Sequence, residues 1–227
     1  MQISTNQFYS NTASLMQKLT QSTNDIQTQI STTKKYAAPS DNVVAYQQLA
    51  TIGRATADDT AYSANVSLAQ SLLQQSDSTL TAVENDLTNA AALVTQANSD
   101  TLTDAQRKTI STQLKGVLSD LVSLANTKDA RGQPLYGAAT GDSAVTQNAD
   151  GSVAFSGTGT PAAIPIGDGT SIQASDSAAH VFGGIQTASG TSDVFAILSK
   201  FTAALDAGGS VTAAASEAGN GLQAALM

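Results

Sequence analysis

A heptad repeat inside a long stretch without helix breakers is the feature that most constrains this chain. From Asn42 to Asn98 the sequence has no proline and a single glycine, Gly53. Within this stretch, apolar residues recur every seven positions, namely Val66, Leu73, Leu80, Leu87 and Val94. Such a repeat, sustained over about four heptads, is typical of a helix packed against other helices. One continuous helix of about 57 residues would be roughly 85 Å long.

A second apolar run follows after a short connection. Its residues are spaced four, three, four and three apart: Ile110, Leu114, Val117, Leu121 and Leu124. Thr103 and Gln106 match a capping box at the start of this run. Because the connection is short, the sequence predicts two antiparallel helices. We therefore predict that these five residues and the five heptad residues before them form the core of a helical rod.

A third apolar pattern lies at the N-terminus and is weaker. Phe8, Leu15, Leu19 and Ile26 have a and d spacing, but Thr12 and Ser22 fill the positions between them. So thin a seam does not stabilise a helix alone. We predict that these four residues form an assembly seam that waits for a partner helix.

Glycine divides the chain into chemically different parts. Of 17 glycines, only Gly53 and Gly116 lie within residues 1–131. Beyond residue 137 the apolar period becomes two: Val145–Gln147 and Ser152–Ser156 flank a turn, and Ile164, Ile166 and Ile172 alternate around a second turn. From Val194 the helical period returns and ends at Gly208.

The predicted fold class is therefore α+β, an elongated rod of long heptad-bearing helices with a small inserted β domain. We divide the chain into an N-terminal assembly helix and linker (1–41), a long-helix core (42–137), a small β outer domain (138–188) and a return segment (189–227). The last segment is expected to hold a return helix and the start of a C-terminal helical arm. We expect the natural protein to continue beyond Met227.

The composition of the chain argues against a catalytic site, a metal site, nucleic-acid binding and a membrane span. The chain has no cysteine and one histidine, His180, which we interpret as a strand-edge residue. Asn148–Gly151 resembles the start of a calcium loop, but the glutamate that would close it is missing. The net charge of −8 disfavours nucleic-acid binding, and no apolar run reaches the roughly 18 residues of a membrane span. We predict no enzymatic activity, no catalytic residues, no cofactor and no metal.

Several ordered motifs resemble one protein family. The start Met1–Thr5, the segment Gln29–Lys35 and the segment Pro39–Asn42 are similar to the N-terminal signature of the flagellar hook–filament junction proteins, the flagellin-related proteins of the hook-associated protein 3 type. The similarity continues through Gln96–Asn98, Arg107, Leu124–Thr127, Gly132–Gly137 and the later strands. Two departures are visible: Asn42-Val43 stands where the family usually has Asp-Pro, and Thr32-Thr33 replaces a usual Ser/Thr-Gly.

The resemblance implies a structural adaptor that joins the flagellar hook to the filament through helical packing between subunits. It implies export through the flagellar type III channel, an extracellular place in the bacterial flagellum, and a role in motility. The partners it implies are the hook-side junction protein, flagellin, further copies of the chain in a ring, and an export chaperone. Pairing of the N- and C-terminal helices in a coiled coil is also implied.

Two other classes remain open. A filament flagellin or flagellin-like surface protein or adhesin would share the helices but use the β domain to hold a glycan on an aromatic platform, for which only Phe155 and Phe182 are available. A secreted enzyme would need a cleft with grouped titratable residues, and the sequence indicates none.

Overall fold

The computed structural model describes residues 2–36, 38–137, 143–148, 151–157 and 159–227. The chain divides into two compact units, residues 1–60 and 61–227. The first unit holds helix α1 (Gln2–Thr32) and the beginning of helix α2 (Val43–Ala97). The 55 residues of α2 confirm the continuous helix predicted between Asn42 and Asn98.

In the first unit, a turn that two hydrogen bonds close between Ala38 and Asp41 precedes α2. The Asp41 N–H donates to the Ala38 carbonyl at 3.1 Å, and Asp41 Oδ2 accepts from the Ala38 N–H at 3.0 Å. Asn42 Oδ1 accepts from the Ala45 N–H at 2.9 Å, so Asn42 caps α2. The Asn-Val sequence that stands in place of the usual Asp-Pro therefore still caps the helix. At the other departure, Thr33 has a φ of +53°, a conformation that glycine adopts without strain.

The second unit holds the rest of α2 and helices α3 (Asp104–Ala125), α4 (Ala178–Phe182), α5 (Val194–Ala207) and α6 (Thr212–Ala225). The capping box predicted at the start of α3 is confirmed. The Gln106 N–H donates to Thr103 Oγ1 at 3.3 Å, and the Thr103 N–H donates to Gln106 Oε1 at 2.9 Å. The predicted α5 is confirmed as well, and it ends before Gly208 as expected.

Helices α2 and α3 run antiparallel, as the short connection predicts. Gln75 donates to the Lys128 carbonyl at 2.9 Å, and the charge of Asp120 acts on Asp86. Partner numbers therefore fall along α3 as they rise along α2. The most extensive contact of α3, however, is with α5. The core is thus built from both the N-terminal helices and the helices that follow the strands.

The strands form three two-stranded antiparallel sheets among the described residues. Strand β1 (Val145–Gln147) pairs with β2 (Val153–Phe155), and β3 (Ile164–Gly167) pairs with β4 (Thr170–Ile172). Both hairpins were predicted, although turn residues 149 and 150 lie outside the described residues. The third hairpin joins β5 (Ile185–Thr187) to β6 (Gly190–Ser192) and was not predicted.

One local prediction is wrong. His180 is not at a strand edge but in α4, which Ser177 caps by accepting from the His180 N–H. The helix after the strands begins at Val194, where the helical period was predicted to return, and residues 190–192 just before it pair with β5. The division of the chain into four segments stays a prediction, and residues 138–142 at one predicted boundary lie outside the described residues.

Four of the six aromatic residues of the second unit gather in one cluster. The Phe182 ring lies 5.9 Å from the Tyr136 ring and 5.3 Å from the Phe195 ring, and Phe155 lies 6.0 Å from Phe195. Tyr136, Phe182 and Phe195 are almost fully buried. Aromatic side chains bury large apolar areas, so this cluster fixes the strand segments onto α5. The expected α+β class is confirmed, with long helices and a small region of short antiparallel strands.

Candidate assembly surfaces

The predicted assembly seam lies on α1 with its side chains in solvent. Phe8 is 67%, Leu15 70%, Leu19 66% and Ile26 53% exposed. The helical spacing of these residues places them along one side of α1. We call these four residues the assembly face. Apolar side chains arranged in this way on a helix are typical of a surface that another helix covers.

The ten predicted core residues separate into two groups. Six of them are buried, at no more than 6% exposure: Leu87, Val94, Ile110, Leu114, Val117 and Leu121. Leu124 is half-buried against the same core. In contrast, Val66, Leu73 and Leu80 are 36%, 45% and 41% exposed. Their assignment to the rod core is therefore wrong.

The geometry of a straight helix explains the difference. An α-helix of 3.6 residues per turn drifts by about 20° per heptad relative to a strict seven-residue repeat. The repeat faces the core at Leu87 and Val94, and it has turned away two heptads earlier. Ala69, Leu72 and Thr79 take the buried positions there instead. Sequence spacing alone does not show where along a helix the partner helices end.

Two of the three exposed residues, Leu73 and Leu80, border a groove of the second unit. This groove has a volume of about 600 Å³, and Leu73 and Leu80 form one wall. Tyr136, Asp176, His180 and Val181 also line the groove. Its lining is therefore a mixture of apolar and polar side chains.

His180 makes one notable polar contact in this groove. Its Nδ1 lies 2.5 Å from Asp176 Oδ2, with the histidine and aspartate side chains 79% and 44% exposed. Burial raises the pKa of Asp176, but the hydrogen bonds from His180 and the Ser177 amide outweigh it and hold that pKa below its ordinary value. The pair is a solvent-exposed contact of the kind that contributes little.

Two polar residues link the elements of the second unit by contacts that the sequence analysis did not predict, although both lie in the family-like motifs that it names. Arg107 is 8% exposed and donates to the carbonyl oxygens of Gly209 and Ser99. These carbonyls follow the ends of α5 and α2, where helix dipoles favour a cation. A signal was present, since Arg107 lies three residues before Ile110 and so continues the seam spacing of α3. The other residue is Asn126, whose side chain binds β1; its motif marks the residue, but nothing in the local sequence indicates this contact.

The described residues hold no group of three or more His, Cys, Asp or Glu side chains placed to bind a metal ion. Among these same residues, no helix is both long enough and apolar enough to cross a membrane.

Comparison with known proteins places this arrangement in a family. Residues 3–140, more than half of the chain, match the bacterial flagellin N-terminal helical region. The chain belongs to this family. Over 108 residues it is 30% identical to flagellar hook-associated protein 3 of Escherichia coli strain K12, a match that covers 48% of this chain and 34% of the relative. The chain thus spans about a third of the length of this curated relative.

Solved structures of this flagellin-related family share the fold. A flagellar hook-associated protein from Vibrio parahaemolyticus superposes with a TM-score of 0.69 at 18% identity, covering 83% of each chain. Flagellar hook-associated protein 3 from Legionella pneumophila gives 0.68 at 14% identity, covering 78% of this chain and 87% of that one. The resemblance to the hook-associated protein 3 type, predicted from the N-terminal motifs, is confirmed.

Proposed function

We propose that this protein is a structural adaptor that joins the flagellar hook to the filament by helical packing between subunits. The observation that carries the proposal is the assembly face of α1, four large apolar side chains in solvent at helical spacing. Burying this face against other helices contributes roughly 25 cal/mol for each Å² of apolar surface removed from water. A chain with this face is built for assembly rather than for chemistry.

The finer proposal concerns partners and place. The matched relatives carry the names of hook-associated and junction proteins, which supports a place in the flagellum. We infer that the chain is exported through the flagellar type III route, assembles as a ring with its own copies, and contacts the hook-side junction protein on one side and flagellin on the other. An export chaperone would keep the assembly face from aggregating beforehand.

The aromatic residues of the strand region argue against the adhesin alternative. An adhesin that holds a glycan would need an exposed aromatic platform, and Phe155 and Phe182 were the candidates. Phe182 is 1% exposed and Phe155 is half-buried against Phe195. Both rings pack against other residues of the core, so the described strands offer no exposed aromatic platform at these positions.

The test is complementation of a strain that lacks its junction protein, using the full-length gene. Leu19→Pro breaks α1 at a cost of about 3 kcal/mol or more and should leave hooks that shed flagellin into the medium. Leu19→Asp should also fail, because it charges the assembly face. Gln17→Asp is the matched control, since it adds the same charge to the same helix outside the four apolar positions.

His180→Ala tests the opposite possibility, a chemical or ligand-binding role near α4. The proposal expects normal swimming from this variant, since its contact with Asp176 is exposed. If Leu19→Asp swims normally while His180→Ala does not, the adaptor proposal is wrong and the groove beside α4 becomes the functional site.

A further inference from the structure

An Asp-Gly sequence forms the tip of the second hairpin. Asp168 and Gly169 are the two residues between β3 and β4, and Gly167 pairs with Thr170 across them. Both tip residues are exposed. No described residue holds the Asp168 side chain by a hydrogen bond or an ion pair. The carboxyl group is therefore free to approach the backbone that follows it.

The backbone at this tip offers an accessible nitrogen. Gly169 has a φ of +66°, and glycine moves between backbone conformations more freely than any residue with a side chain. The tip is held by the strand pairing on either side of it and not by burial. The Gly169 nitrogen and the Asp168 carboxyl carbon can therefore meet without disturbing a packed region.

A carboxyl carbon and the next backbone nitrogen form a five-membered ring when they react. The nitrogen of Gly169 bonds to Cγ of Asp168, the bond from Cγ to the carboxyl hydroxyl breaks, and that hydroxyl leaves as water with the amide proton. One water molecule from the solvent then opens the ring. Opening at Cγ restores aspartate, whereas opening at the main-chain carbonyl leaves the chain running through Cγ as isoaspartate. The composition of the protein is unchanged at the end.

The chain holds a related sequence in the opposite setting. Asn220-Gly221 is intrinsically the more reactive pair, because an amide loses ammonia more readily at neutral pH than a carboxylate loses water. It lies inside α6, where a backbone N–H is bound to the carbonyl four residues earlier. Gly221 is also buried, and a Cβ on it would lie 2.7 Å from Ile197 Cδ1. Ring closure there requires α6 to open locally first.

We propose that Asp168 is a site of spontaneous isomerisation to isoaspartate in the folded protein, and that the fold protects Asn220. The product adds one atom to the main chain at the hairpin tip, so the pairing of Gly167 with Thr170 loses its register. Asn65 of α2 donates to the Pro165 carbonyl at 2.7 Å, so this contact of the hairpin with α2 is exposed to the same change. The site does not depend on what covers the assembly face, so it goes beyond the adaptor role.

Peptide mapping of the full chain after several weeks at pH 7 tests the proposal. Chymotrypsin cleaves after Phe155 and so separates Asp168 from the other Asp-Gly sequence, Asp150-Gly151. Electron-transfer fragmentation then locates isoaspartate within the peptide. In the folded protein, isoaspartate should accumulate at Asp168 while Asn220 stays an amide. In urea the order should reverse, because both sequences are then unprotected and Asn-Gly reacts faster.

Matched variants separate the effect of the fold from that of the sequence. Asp168→Asn gives the tip the same sequence as Asn220-Gly221, and position 168 should then lose its amide at least about tenfold faster than Asn220 in the folded chain. Gly169→Asn keeps a residue that tolerates a positive φ, and its Cβ enters open space, but its side chain hinders ring closure and should slow isomerisation. Circular dichroism confirms that each variant retains its helices. An intact Asp168 in the aged wild type, or equal rates at the two positions in Asp168→Asn, would overturn the proposal.

Discussion

Asn126 pairs with Val145 in both directions, as a strand residue would. Its Oδ1 accepts from the Val145 N–H at 3.1 Å, and its Nδ2 donates to the Val145 carbonyl at 3.0 Å. The same Oδ1 accepts from the Ala144 N–H at 2.8 Å. One side chain at the end of α3 thus satisfies the backbone where β1 begins, and it joins the strand region to the helices.

We expect Asn126→Ala to lower the free energy of unfolding by about 2–3 kcal/mol. Val145 is 1% exposed, and unsatisfied buried backbone groups are costly. Asn126→Asp keeps the acceptor but removes the donor, and it sets a carboxylate against the Val145 carbonyl, so it should lower stability more at pH 7 than at pH 4. Urea denaturation measures both variants. A loss under about 0.5 kcal/mol for the alanine variant would show that water replaces the amide.

Leu114 on α3 and Leu80 on α2 are matched positions for alanine substitution, because they carry the same side chain in different surroundings. Leu114 is fully buried, whereas Leu80 is 41% exposed. Leu114→Ala should therefore cost about 2–5 kcal/mol, and Leu80→Ala less than about 1 kcal/mol. Thermal or urea unfolding of the two variants decides the matter. Equal costs would mean that the groove beside Leu80 closes in solution.

The helices of this fold were largely predictable because their signals are local. The stretch without proline and with one glycine predicted α2, and the capping box of Thr103 and Gln106 predicted the start of α3. The two turns around residues 148–151 and 167–169 predicted the first two hairpins. Each of these signals lies within a few residues of the element it specifies.

The misassigned core residues and the unpredicted polar links have a different cause, since they depend on contacts between distant parts of the chain. Leu73 has the same spacing as Leu87, and the drift of the heptad repeat relative to the surrounding helices makes one exposed and the other buried. The role of Asn126 depends on a strand 19 residues away. The link from Arg107 to Gly209 spans 102 residues. The spacing of the apolar residues predicted the assembly face of α1, but it does not identify the partner that would cover this face.

Asp86 should make the stability of the second unit depend on pH. Burial and the neighbouring charge of Asp120 raise the pKa of Asp86 above its ordinary value. A carboxyl with a raised pKa binds protons more tightly in the folded state than in the unfolded state, so its ionisation destabilises the fold at neutral pH. That penalty disappears as pH falls through the raised pKa toward the ordinary value near 3.8.

Asp120→Asn should consequently stabilise the protein at pH 7, and the gain should shrink as pH falls and Asp86 takes up its proton. Asp77→Asn, at an exposed position of α2, is the control for a general change in net charge. Unfolding free energies measured between pH 3.5 and pH 7 for both variants test the assignment. Equal gains from the two variants would attribute the effect to net charge rather than to Asp86.

Gly116 and Gly221 are helical glycines with opposite surroundings. A Cβ on Gly116 would meet nothing within 4 Å, so Gly116→Ala should stabilise α3 by about 0.5–1 kcal/mol. A Cβ on Gly221 would lie 2.7 Å from Ile197 Cδ1. The same Cβ would also lie 3.4 Å from Ile197 Cγ1 and 3.5 Å from Thr187 Cγ2, so Gly221→Ala should destabilise by about 1 kcal/mol.

A double-mutant cycle identifies the cause of the loss at Gly221. Ile197→Val removes the Cδ1 methyl that the new Cβ would meet, and alone it should cost about 1 kcal/mol. Combined with Gly221→Ala, it should restore part of the lost stability, because the new methyl occupies the space vacated, with a favourable coupling of about 1 kcal/mol. Additive costs would show that α6 shifts away from α5 to accept the methyl, and that the close approach of these two helices at Gly221 is not fixed by Ile197.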